Sequence, residues 1–141
     1  MYLDGSSDKV TFQGNYLYKT SGRAPKVKDN TYLHAVNNYW DDNSGHAFEI
    51  GAGGHVLAEG NYFSNVNATL ELDTFFGSLY ASDSNSAACQ ASIGRPCVAN
   101  VNGGELVSSS AAVLSSFKGE KLPSSAVANT NPAGSAGQGN L

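Results

Sequence analysis

An Asn-Tyr pair recurs at Asn15-Tyr16, Asn38-Tyr39 and Asn61-Tyr62, an interval of 23 residues each time. The segments leading into the pairs align as well: Val10-Thr11-Phe12-Gln13-Gly14, Leu33-His34-Ala35-Val36-Asn37 and Val56-Leu57-Ala58-Glu59-Gly60. Gly22 and Gly45 keep the same spacing. Each unit opens with a short β-type run, turns on Asn, and continues into a run rich in aromatic or β-branched residues. Gly, Asn, Asp and β-branched residues are spread throughout, which disfavours helix. A repeat of this length with short strands and an Asn at one fixed turn points to a parallel β-helix. Successive coils then stack about 4.8 Å apart and equivalent residues form ladders. An Asn ladder suits this geometry because the amide both donates and accepts, and because Asn tolerates the left-handed turn conformation. Phe12, Val36, Phe48, Ile50 and Leu57 are expected to point inward. The Leu-x-x-Leu-x-Leu pattern of leucine-rich repeats is absent, and a β-sandwich would not keep one Asn in register three times.

The repeat does not run the length of the chain. Of the fourteen aromatic residues, thirteen lie at or before Tyr80, and from Asn102 onward 24 of 40 residues are Ser, Ala, Gly or Asn. We therefore expect coils over 1–75, a loop segment over 76–101, and a coil-rich tail over 102–141 that packs on the helix or is partly disordered. The whole chain, 141 residues, is enough for one domain. No apolar run approaches the roughly 20 residues of a membrane span. A net charge of -4 argues against nucleic-acid binding. Cys89 and Cys97, eight apart around Gly94 and Pro96, are read either as a local disulfide or as two free thiols. Asn67-Ala68-Thr69 is the sole N-glycosylation sequon. Both features lean towards a secreted, extracellular protein, yet Met1 is not followed by a signal peptide. The expectation is that the natural N-terminus is missing.

Against this background the residues carry a resemblance. Tyr2-Leu3-Asp4-Gly5-Ser6, Val10-Thr11, Gly14-Asn15-Tyr16 and Ser21-Gly22-Arg23-Ala24-Pro25-Lys26-Val27 resemble fungal pectin lyases. So do His34-Ala35-Val36-Asn37-Asn38, Gly45-His46-Ala47-Phe48-Glu49-Ile50-Gly51, Val56-Leu57-Ala58-Glu59-Gly60-Asn61, and the two cysteines with Gly94-Arg95 between them. The tail matches loosely, chiefly at Ala136-Gly137-Gln138-Gly139. The resemblance implies an all-β, right-handed, single-stranded parallel β-helix. It also implies a secreted, monomeric lyase that cuts methyl-esterified homogalacturonan by β-elimination, with pectin as partner, no cofactor, no nucleic acid and no membrane. It covers the C-terminal portion of such an enzyme, so the isolated chain is expected to show little turnover and poor solubility.

The catalytic Arg of the family falls on Arg23, and a Lys that assists it falls on Lys26. Cleavage removes the proton on C5, α to the C6 carboxyl carbon, and expels O4. A neutral ester acidifies that proton more than a carboxylate does, whereas a pectate substrate calls for a cation such as calcium. The second Arg of the pectate-cleaving pattern, five positions on, is replaced here by Lys28, which favours the esterified substrate without metal. In this reading Arg23 is the base and Lys26 stabilises the ester oxygen. Lys19, Lys28 and His46 bind substrate, and crowding by the lysines favours the neutral form of Arg23. Pro25 restrains the loop. Trp40 is either a sugar-stacking platform or core packing, with core preferred. Glu49 and Glu59 show no acid/base partnership of the kind that two-carboxylate hydrolysis needs, and His34 and His55 no ligand spacing.

Overall fold

In each complete coil three positions turn the chain, and they recur in register. Gly14, Asn37 and Gly60 have φ of 66°, 55° and 62°, and Lys19, Asp42 and Asn65 have 54°, 52° and 49°. Asn30 and Gly53 form a third column at 64° and 77°. Gly takes this conformation freely, and Asn and Asp reach it more cheaply than other side chains. The ladder asparagines themselves are not left-handed. The residue just before each one makes the bend, a correction to the expected role of the ladder Asn.

The computed structural model describes residues 1–82 and 87–124. Between the bends run β1 (Tyr2–Leu3), β2 (Lys9–Gln13), β3 (Tyr16–Tyr18), β4 (Lys26–Val27), β5 (Thr31–Val36), β6 (Tyr39–Ile50), β7 (Gly54–Glu59), β8 (Tyr62–Leu70) and β9 (Ser78–Ala81). Every pairing is parallel. One sheet stacks β2, β5, β7 and β9; β6 pairs with β3 at its start, with β4 near its end, and with β8 from Tyr39 to Phe48. The result is a parallel β-helix of about three coils.

Register follows the repeat, as in Leu33↔Val56 and Tyr39↔Tyr62, with a shift along β6 between Asn43 and His46. Inside, equivalent residues form ladders: Val10, Leu33, Val56 and Leu79; Leu17, Trp40 and Phe63; Leu3, Val27 and Ile50. Bulk is distributed between ladders. Phe12 lies above Ala35, Ala58 and Ala81, and these small residues leave room for Trp40, which stacks on Phe63 at 5.0 Å. Trp40 is fully buried and donates its Nε1–H to Ala24 O at 2.7 Å, so it is core and not a sugar platform. Ala24 precedes Pro25 through a cis peptide bond.

The Asn ladder forms with a regular bonding scheme. Asn38 Oδ1 accepts from both Asn15 N–H (3.0 Å) and Asn15 Nδ2 (2.9 Å), and Asn61 Oδ1 accepts likewise from Asn38 at 2.9 and 3.1 Å. The remaining amide hydrogens reach the carbonyls of Phe12 and Ala35. A fourth rung, Asn100, accepts from Asn61 at 3.1 and 3.0 Å. It follows Asn61 by 39 residues, outside the repeat.

Two of the five residues expected inside face the other way. Alternation along β5 and β7 puts Leu33, Ala35, Val56 and Ala58 inside, and so puts Val36 and Leu57 on the outer face. They are buried there all the same. Leu57 packs with Cys89, Cys97, Val113, Leu114 and Phe117, from α1 (Ala87–Ile93), α2 (Ala112–Ser116) and their flanks. The segment after Asn102 thus covers the outside of a sheet, at least as far as Leu122. The loose match at 136–139 lies outside the described residues.

Beneath this cover, Glu59 receives His34 Nε2 at 2.8 Å, Arg95 Nη2 at 2.6 Å and the Val98 N–H at 3.2 Å. Burial alone would push Glu59 up, but the hydrogen bonds from His34 and Arg95 and their charges outweigh it and hold the carboxyl at about 2. Glu59 is therefore partnered by His34 and Arg95 and not by a second carboxyl group.

Candidate active site

Strand stacking converts two sequence-distant segments into one charged cluster. β4 pairs with the end of β6 so that Lys26 lies against Glu49, and a bridge sets Arg23 beside His46. The approach is close because Gly45 faces Gly22: a Cβ on Gly45 would sit 2.4 Å from Gly22 O. One coil further on, Ala68 follows His46, and the Glu71 N–H reaches Phe48 O at 2.9 Å.

Glu49 is the hub. Its carboxylate takes Arg23 Nε through Oε2 and Lys26 Nζ through Oε1 at 2.8 Å. The Glu49 side chain is only 4% exposed, while that of Arg23 is 43% exposed. Tyr2 completes the cluster: Arg23 Nη1 donates to its hydroxyl at 2.8 Å, and the ring lies 5.7 Å from the guanidinium and 5.9 Å from Lys26 Nζ. His46 Nε2 meets Glu71 Oε2 at 2.7 Å, and its Nδ1 lies 3.8 Å from Glu49 Oε2, buried and without a hydrogen bond.

The electrostatics correct the expected crowding. The hydrogen bond to Glu49, and then the Glu49 charge, raise Arg23 above its ordinary value, so the guanidinium is held as a cation. Burial works to raise Glu49, yet the bonds from Lys26 and Arg23 and their charges bring it below the carboxylate range. Lys19 and Lys28 do not join the cluster. Lys19 occupies one of the left-handed bends, with Nζ 5.0 Å from the Tyr18 ring, and Lys28 pairs with Asp29 at 3.0 Å. The structure thus brings together Arg23, Lys26 and His46, adds Glu49, Glu71 and Tyr2, and leaves two of the five predicted residues elsewhere. Glu49 was within reach of the repeat, because it stands 23 residues after Lys26.

Cys89 and Cys97 are joined in a disulfide. Asn67 is exposed on β8. Thr69 of the same sequon is buried, and its hydroxyl bonds Gly103 O and Glu105.

A profile described as pectate lyase matches residues 3–136. The chain belongs to the pectate lyase family. Within that family it is 70% identical to "Pectin lyase D" of Aspergillus niger, over all of this chain and 38% of that protein. It is 64% identical to "Probable pectin lyase B" of Aspergillus fumigatus and 61% identical to "Pectin lyase 2" of Aspergillus oryzae, with the same coverage. The chain thus spans somewhat over a third of the length of these curated relatives.

Proposed function

We propose that this chain carries part of the reaction centre of a pectin lyase, a secreted enzyme that cleaves methyl-esterified (1→4)-α-D-galacturonan by elimination. The observation carrying the proposal is the pairing of Arg23 and Lys26 on one face, held by a common carboxylate, in a chain similar to proteins named pectin lyase. The C5–H bond breaks as Arg23 takes the proton. Its electron pair forms the C4=C5 double bond, and O4 leaves with the C4–O4 pair, to be protonated by water. Lys26 stabilises the charge that develops on the ester carbonyl oxygen. Arg23 is a cation in the free protein, so before it acts as the base it must give one proton to solvent hydroxide from its Nη end, with its Nε–H still held by Glu49. His46, Lys19 and Lys28 are assigned to substrate binding, with His46 nearest the centre. Turnover is independent of added calcium in this reading, because the site's carboxylates, Glu49 and Glu71, are engaged by side-chain nitrogens. Secretion is supported by the disulfide and by the exposed Asn67, proposed as a glycan attachment site.

A second reading, pectin binding without turnover, is favoured by one observation: Glu49 stabilises the protonated form of Arg23. Highly esterified pectin, incubated with the intact protein that carries this chain, separates the two. Calcium-independent growth of ultraviolet absorbance from unsaturated ends, abolished by Arg23→Ala, supports the lyase; binding without such ends supports the second reading. Full activity of Arg23→Ala sinks the site assignment.

A further inference from the structure

Arg23 and Lys26 share a single counter-ion, and that ion is the buried partner of the three. Each Glu49 oxygen serves one cation, Oε2 for Arg23 and Oε1 for Lys26. A carboxylate is a rigid plane, so its two guests cannot change their separation independently. The contact is made at the Nε edge of Arg23 and Nη1 is taken by Tyr2, which leaves Nη2 without a hydrogen bond among the described residues. Glu49 is fixed in turn by the stacking of β6 against β4 and β8 and does not depend on a mobile loop. A rigid element supporting two functional groups through one anion is the arrangement that preorganisation requires.

We propose that Glu49 is a positioning residue for the elimination, setting the place and spacing of Arg23 and Lys26 from the neighbouring coil while touching neither substrate nor reacting atoms. This rests on the lyase reading above. The groups facing Glu49 are Tyr2 from β1, Arg23 and Lys26 from the preceding coil, His46 from β6, and Glu71 beyond β8, which binds His46. Removing the Glu49 charge frees both cations to separate and lowers the pH at which Arg23 releases its proton.

The test compares Glu49→Gln, Glu49→Asp and Arg23→Ala in the intact protein, with esterified pectin as substrate. Glu49→Gln should lower kcat roughly 100-fold while KM changes by less than about threefold. It should also move the rising limb of log kcat against pH downward, because the Glu49 charge no longer favours the protonated guanidinium. Glu49→Asp keeps the charge but not the reach, so its kcat should fall while the limb stays in place. Nitrogen-15 NMR of the Arg23 Nε–H gives a readout without turnover: the signal should be protected from exchange in the native protein and in neither variant. If Arg23→Ala is inactive but Glu49→Gln keeps wild-type kcat and pH profile, the positioning role is overturned and the lyase reading stands. If Arg23→Ala is active, the lyase reading itself has failed. Should Glu49→Gln not fold, the kcat of Glu49→Asp decides: wild-type turnover in that variant overturns the proposal.

Discussion

At the level of single residues, the side chains that hold coils together are polar and stacked. Asn38 Oδ1 accepts twice from Asn15 and its Nδ2 donates to Phe12 O and Asn61 Oδ1, so Asn38→Ala removes four hydrogen bonds and takes the partner from the Asn15 backbone N–H. We expect a loss of about 3 kcal/mol, read from urea unfolding, against well under 1 kcal/mol for exposed Gln13→Ala. Glu59 makes a second prediction. Its folded form binds a proton more weakly than the unfolded chain, so its stabilisation is complete above about pH 4.5 and lost as pH falls through about 2. On the order of 3 kcal/mol should disappear across that window, and Glu59→Gln should flatten the acid limb. Legibility at this scale followed the repeat. Asn15, Asn38 and Asn61 announce themselves by spacing, and Glu49 could have been placed beside Lys26 by the same count. The Glu59 partners could not: Arg95 lies in the disulfide loop, where no period runs.

Among the elements, inner ladders were readable as hydrophobic positions, but the face of Val36 and Leu57 was not. A strand covered on both sides has apolar residues at consecutive positions, as in Val56-Leu57-Ala58, and alternation then stops reporting which way is in. What covers the outer face is made of short helices with weak sequence signals, AACQASI and AVLSS. Leu57→Ala should cost about 2–5 kcal/mol, as for other buried leucines. Hydrogen exchange should show the loss first in α2, with the inner ladders protected. Replacing Cys89 and Cys97 by Ser reopens an eight-residue loop and should cost about 2 kcal/mol, visible as a lowered Tm that reductant reproduces in the native protein.

For the whole molecule, parallel stacking means that each coil is stabilised chiefly by its neighbours. The first coil leaves a hollow of about 570 Å³ above Phe12, Leu17 and Ala24, lined also by Tyr16 and Arg23. Apolar surface and unpaired strand edges favour association, so the 141-residue chain alone should sediment as oligomers, and a sharp monomer boundary would contradict this. The fourth rung of the ladder has a different bearing on the molecule as a whole. Asn100 returns to the stack through its side-chain amide and the backbone bonds on either side of it, from Asn100 N–H to Ser82 O and from Val101 N–H to Asn61 O, after a detour that ignores the coil length. Such a joint does not depend on the 23-residue count: chain of another length between Ala81 and Asn100 can close the same rung, provided the Cys89–Cys97 disulfide and the Arg95–Glu59 pair keep their places. The edge of this solenoid is therefore a natural place for lineages, or protein engineers, to add new surface without disturbing the coils beneath.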